Sequence, residues 1–460
     1  MLTLENDQLT FSFPSIGHEI HNLACASLDQ LLHQALADRR QGAWASLKRH
    51  PAFESCTKAE RQQAKAALLE ADPAGLATSL KDVTLWNDRV RNALNPELSV
   101  EFERTLRIPD DGQTYPLPAG IGTFPLRPVD DFAATVPPTW LERGGVLLPM
   151  YQAEALWIYF SGWAGPPCAM QVAAGMINAI SSEPWGDGLC ADPQNYAPLP
   201  NQPWLDGFAV EKGIIRQFVA AALGTGATVE EQLTGAARHG GLQLRAYPLR
   251  ARYWFEQEFA AEMPRELDRV MGRFVPPAAI QRHDDQRRAR LAEQSQNYFS
   301  RTSPQSADNL ICSSAPDMGM AAGGKMRQEI YRDPRPLEHY DQEAGVRCFV
   351  HLCNAMRWRE ITGTLPPHPP LTANEYRRHG LPWFDHYRSD LEALAGGEGF
   401  AGVKSLSQWE QQQVSQSSEK SDTWRSQPGF DPAPDLFDDM TVIQSGDARR
   451  PVEIRQGSPD

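Results

Sequence analysis

The run ALWIYFSGWAGPPCAMQVAAGMINAISS, residues 155–182, carries no charged side chain, and its reading decides what kind of chain this is. A membrane-spanning helix needs about 20 mostly apolar residues and an unbroken hydrogen-bond ladder. Gly165-Pro166-Pro167 cuts the run in two, and Gln171 and Asn178 interrupt the second piece. The pattern predicts two buried strands joined by a Pro-Pro loop, and no membrane partner.

Outward from this run, short β-prone stretches alternate with turn signals: FERTLRI, VLLPMY, IIRQFVAAAL and GLQLRAY. Pro109-Asp-Asp-Gly112 is a turn, since Pro presets φ and Gly accepts a positive one. Pro149 inside VLLPMY predicts an edge position or a bulge. Residues 98–251 are therefore expected to form a β-rich core, sandwich or barrel-like and mostly antiparallel.

The flanks read differently. Leu28, Leu31, Leu32 and Leu36, then Ala64, Ala67 and Leu68, recur at helical spacing, and Thr57 to Glu60 is a capping box. Residues 1–97 are expected to be a helical bundle. Residues 252–403 mix helix with a strand, RCFVHLC, as an α/β continuation that can form one unit with the core. Residues 404–460 are rich in Gln, Ser and Asp, lack periodicity, and are expected to be a disordered tail. Within the tail, residues 435–443 form an acidic-hydrophobic island suited to a protein partner. The fold class is α+β.

The 460 residues carry a formal charge of −14, which disfavours nucleic acid and anionic membrane surfaces as partners. Seven Cys show no CxxC spacing, so reduced thiols in the cytoplasm are expected rather than disulfides or zinc. The N-terminus has no basic region followed by an apolar run, so no secretory signal is read there.

Three motifs carry candidate chemistry. Gly319, Gly323, Gly324 and Lys325 satisfy the GxxxxGK spacing of a phosphate loop, although Met326 replaces the magnesium-holding hydroxyl. Otherwise those glycines let a loop lie against another backbone. Cys348, His351 and Cys353 lie close together, with His339 and His386 elsewhere, but two ligands on one strand face are too few for zinc. His351 is expected to be a hydrogen-bonded core residue, and no metal site is assigned. The third motif is an aromatic and amide cluster, Trp185, Asn195, Tyr196, Gln202, Trp204 and Asp206, suited to a polar ring-bearing ligand such as a sugar. Its structural alternative is a set of aromatic wedges anchoring Pro-rich loops. Asp206, Glu211 and Glu183 are its available acid/base carboxylates.

RTLRIPDDG at 104–112, GGVLLPMYQAEALW at 144–157, PQNYAPLPNQPWLDG at 193–207, GIIRQFVA at 213–220, MGMAAGGKMRQEIYRDP at 318–334 and RWREITG at 357–363 are long and unusual blocks. On them the chain resembles a family of uncharacterised bacterial and fungal proteins, some labelled integral membrane proteins. The uncharged run accounts for that label. The resemblance spans roughly residues 101–403 and implies no activity, cofactor or catalytic residue. Where it leads one to expect a Pro, residues 218–224 read FVAAALG, without the rigid turn.

The sequence thus describes a soluble cytoplasmic ligand-binding or protein-interaction protein. The alternatives are an enzyme acting on a polar small molecule or glycan through carboxylates near Trp204, and nucleotide binding at Gly319–Lys325. No cofactor is named by any motif.

Overall fold

Leu2-Thr-Leu-Glu-Asn-Asp-Gln-Leu-Thr-Phe-Ser12 alternates apolar and polar residues around Asn6-Asp7, and that period of two makes the chain's first element a hairpin. A computed structural model of the protein describes residues 1–23, 56–70, 95–161, 166–255, 317–366, 383–384, 390–420 and 451–457. Strand β1 (Leu2–Glu5) pairs antiparallel with β2 (Gln8–Ser12). Asn6 and Asp7 both hold positive φ, 49° and 63°, as the two central residues of a type I′ turn require. Leu2, Leu4, Leu9 and Phe11 enter the core.

The expected N-terminal helical bundle is therefore incorrect: the N-terminus is strand, built into the main sheet. Residues 14–23 are helical, as is α1 (Lys58–Glu70). The capping box forms there, Thr57 N donating to Glu60 Oε2 (2.7 Å) and Glu60 N to Thr57 Oγ1 (3.3 Å). The leucines at 28–36 lie outside the described residues.

The remaining principal strands are β3 (Glu97–Thr105), β4 (Val146–Met150), β5 (Ala155–Ser161), β6 (Cys168–Ala174), β7 (Trp204–Leu205), β8 (Gly207–Glu211), β9 (Ile214–Ala222), β10 (Leu242–Pro248), β11 (Asp317–Arg327), β12 (Val346–Asn354) and β13 (Val452–Glu453). An unbroken antiparallel path runs β13-β1-β2-β3-β5-β9-β11-β12-β10-β6. This sheet curls into a half-barrel. Register shifts at Glu103/Thr105, Ala209/Glu211 and Arg216/Phe218 mark irregular points where bulging increases twist. Strands from residues 1–97, 98–251 and 252–403 all lie in this one sheet.

The uncharged run resolves into β5 and β6. Every residue of β6 is buried, which explains a near-continuous apolar strand. No helix among the described residues is long and apolar enough to cross a membrane. Pro149 pairs with Cys353 of β12, beyond the two residues of β4 that Arg127–Pro128 cover on the other side. Its missing N–H thus falls where the strand is an edge. Without a Pro at 218–224, β9 continues straight through Ala222.

Of the expected disordered tail, residues 404–420 and 451–457 are described and carry regular structure, while residues 421–450 lie outside the described residues. Helix α2 (Leu406–Lys420) buries Leu406, and β13 extends β1 at the sheet edge. Ile454 is buried in the main core, Ile454 N donates to Leu2 O, and Arg455 bridges to Asp130. Apolar residues spaced too sparsely to show a period anchor these pieces individually. The proposed partner island, residues 435–443, lies outside the described residues.

A chain ending at residue 450 should lose the Ile454 contact and the β13–β1 pairing. Burying such a side chain contributes about 1.5–3 kcal/mol. Urea unfolding of the truncated chain should show a loss of at least that size, and an unchanged midpoint would refute the role given to β13.

Candidate functional site

The β3 sequence Leu-Ser-Val-Glu-Phe-Glu places Leu98, Val100 and Phe102 in the core and Ser99, Glu101 and Glu103 on the opposite face. In β5, Leu156, Ile158 and Phe160 go inward, and Trp157, Tyr159 and Ser161 go outward, half-buried. The register sets Glu103 opposite Trp157 and Glu101 opposite Tyr159. From the far side, β7 sets Trp204 opposite Tyr159. Three rings and two carboxylates thus tile one outward patch, with directly opposed residues about 4.5–5.5 Å apart at their Cβ atoms.

The ring geometry is not a flat shelf. Trp157 meets Tyr159 at 5.8 Å and 73°, and Trp204 at 6.3 Å and 66°. The Trp157 indole N–H is buried and has no hydrogen-bond partner. Gly120 lies against this centre: a Cβ there would fall 2.8 Å from Glu103 Oε2 and 3.1 Å from Trp157 Cζ2. The close backbone strips water from Glu103. Burial first, and then the neighbouring Glu101 charge, raise the Glu103 pKa above its ordinary value, against a backbone hydrogen bond from Gly122. Glu101 accepts from Gln8 Nε2 (2.5 Å) and Ser161 Oγ (3.3 Å), both through Oε1.

Of the cluster read from the sequence, Trp204 belongs to this patch, and the other polar members are used internally. Gln202 donates to Trp204 O (3.1 Å) and accepts from Tyr331 N (3.3 Å). Gln194 donates to Tyr196 O and Tyr331 O and accepts from Asp333 N. Asp333, its side chain fully buried, accepts from the hydroxyls of Tyr196 (3.1 Å) and Tyr340 (2.6 Å) and from Arg335. These bonds lock residues 194–206 onto residues 328–335. Asn195 accepts from Cys190 N through Oδ1. Trp185 is half-buried, and its backbone N–H donates to Met176 O.

The three acid/base candidates do not act as a set. Asp206 is enclosed, accepting from Gln328 Nε2 at 2.7 Å, while its own backbone N–H donates to Gln328 Oε1 at 3.0 Å. Burial pushes its pKa up to about 7. Glu211 is an exposed residue in an ion pair with Lys325 at 3.3 Å. Glu183 is exposed.

That same Lys325 ends the phosphate-loop reading. Gly319, Gly323, Gly324 and Lys325 lie within β11, laddered to β9, and not in a loop at a helix N-terminus. Gly323 and Gly324 sit at the register shift opposite Gln217. Gly324 lets the strand touch Pro109, whose carbonyl O would be 2.3 Å from a Cβ. The glycines serve close backbone approach, in a strand where the sequence suggested a loop. His351, with Nε2 2.9 Å from Gly144 O and its ring stacked on Trp140, is a core residue, and burial lowers its pKa to about 4. His386 lies outside the described residues, and no cluster of metal-ligating side chains occurs among those described.

A recess of about 10 Å³ lies beside β4, lined by Phe124, Pro149, Tyr151 and the buried Arg104–Glu154 ion pair (2.8 Å). It is smaller than the roughly 300–1,000 Å³ of typical ligand pockets. Its charges satisfy one another, and Tyr151 N holds the second Glu154 oxygen. No family model matches the chain, and no curated protein or solved structure compared with it does either.

Asp206 generates a pH signature. Its folded pKa lies above the unfolded value near 4, so the unfolded chain ionises first as pH rises. Stability contributed by the protonated carboxyl is full below about pH 4, falls between pH 4 and 7, and is flat above. An Asp206→Asn variant lacks this loss. Relative to the parent it should gain a few kcal/mol between pH 4 and 8 in urea unfolding. A difference that does not change with pH would contradict the assignment.

Proposed function

We propose that this chain is a soluble, cytoplasmic ligand-binding protein whose ligand rests on the Trp157–Tyr159–Trp204 face between Glu101 and Glu103. The observation that carries this reading is the tiling itself. Three partly exposed rings, two carboxylates and a buried unpaired indole N–H meet on the outward side of a sheet whose inward side is filled by apolar residues. Aromatic faces supply large contact area at low entropic cost, and carboxylates supply directed acceptors.

Both tryptophans fall within the long sequence blocks. Trp157 closes the block at 144–157 and Trp204 lies in the block at 193–207. The same blocks provide the clamps that hold those rings in register.

A thermal-shift series with monosaccharides, nucleosides and small amines tests the reading. At about 100 times its dissociation constant a ligand adds roughly 2.7 kcal/mol to stability. One of these classes should raise the melting temperature of the parent, and Trp204→Ala and Tyr159→Leu should each abolish most of the rise. A shift that survives both substitutions would place the ligand elsewhere and defeat the proposal.

A further inference from the structure

Resting on the binding face just described, we infer that its ligand is a small organic cation of the quaternary-ammonium class, caged by Trp157, Tyr159 and Trp204 and neutralising Glu101 and Glu103.

Ring orientation is the first argument. A sugar stacks its flat face on one ring or on coplanar rings. Here the angles of 73° and 66° turn Tyr159 and Trp204 well away from the Trp157 plane, so the π faces point in several directions. A rounded ammonium head uses such a cage, because each electron-rich face attracts positive charge independently of direction around the head.

Charge is the second argument. Glu101 and Glu103 are two apart on one strand and project from the same face, about 6.6–7 Å apart along the strand. Glu101 is held by an amide and a hydroxyl, and Glu103 by a backbone group, so hydrogen bonds anchor them without cancelling their charge. Buried carboxylates of this fold are met in two ways: Glu154 and Asp333 have the cations of Arg104 and Arg335, whereas Glu230 and Asp206 have only neutral amide donors. A ligand that brings its own positive charge would complete the face as Arg104 and Arg335 do for Glu154 and Asp333.

The third argument concerns hydration. Gly120 presses backbone against Glu103 and Trp157, which lowers the local dielectric and strengthens both the ion pair and the cation–π attraction. A methylated ammonium costs less to dehydrate than a bare one, so it gains most from a face that is half-buried.

Isothermal titration of the full-length protein with choline and with tetramethylammonium tests the inference. The controls are 3,3-dimethyl-1-butanol, the uncharged carbon analogue of choline, and methyl glucoside. Choline and tetramethylammonium should bind, and the alcohol should bind at least tenfold more weakly. Affinity should fall as ionic strength rises. Glu101→Gln/Glu103→Gln preserves shape and should weaken choline at least tenfold with an unchanged circular dichroism spectrum. Tyr159→Leu should do the same if the double variant proves unstable. Equal binding of choline and the alcohol would overturn the charge argument. Methyl glucoside binding without choline binding would overturn this inference while leaving the ligand-binding reading intact. Binding of neither, together with a silent thermal-shift series, would remove both.

Discussion

The seven residue pairs between β3 and β5, from Ser99 opposite Ser161 to Thr105 opposite Ala155, constrain everything else described above. Because side chains alternate, fixing this register fixes two surfaces at once. A slip of β5 by one residue would drive Trp157 and Tyr159 into the core and expose Leu156 and Ile158, parting the rings from Glu101 and Glu103. The apolar core enforces the register, each large side chain contributing about 1.5–3 kcal/mol on burial. The outward face is therefore held by energy spent on its reverse side.

The second level of control is polar. Gln217 is fully buried and holds Leu106 O and Ile108 N, tying the segment after β3 to β9. Gln202, Gln194 and Gln328 do the same for the loop that carries Trp204. A buried amide left unpaired costs about 1–3 kcal/mol, so such clamps work only when every partner is in place. That cooperativity converts a long Pro-containing loop into a rigid support for one ring. It also accounts for the amides in the sequence block, which look like ligand contacts when seen without their backbone partners.

These clamps mark where the sequence could be read and where it could not. The break at Gly165-Pro166-Pro167, the edge position of Pro149 and the capping box at Thr57 are local signals, and local chemistry decided them. The β1–β2 hairpin was equally local, with Asn6-Asp7 flanked by alternating apolar residues, but helical spacing downstream drew the whole of residues 1–97 into one bundle. The GxxxxGK spacing misled because it says nothing about whether the amides face a loop or a ladder. Trp204 was legible as a candidate; Trp157, Tyr159, Glu101 and Glu103 were not. Their membership in one site depends on a register across 50 or more residues of chain, and alternation in VEFE and LWIYFS predicts only that they point away from the core.

The same separation of scales governs the electrostatics. A net charge of −14 describes the chain as a whole, and its long-range field is screened within about 10 Å at ordinary ionic strength. What decides a ligand is the charge left uncompensated at close range. Glu211 is cancelled by Lys325 and Asp110 lies 3.5 Å from Arg216, so neither contributes much beyond its own pair. Glu103 has the opposite surroundings: burial and a like-charged neighbour both disfavour its ionised form, and among the described residues no cation opposes them. A sheet face that served packing alone would relieve this arrangement with one Arg or Lys in place of Tyr159 or Ser161. Aromatic and hydroxyl groups stand there instead, and the proposed cation site rests on that arrangement.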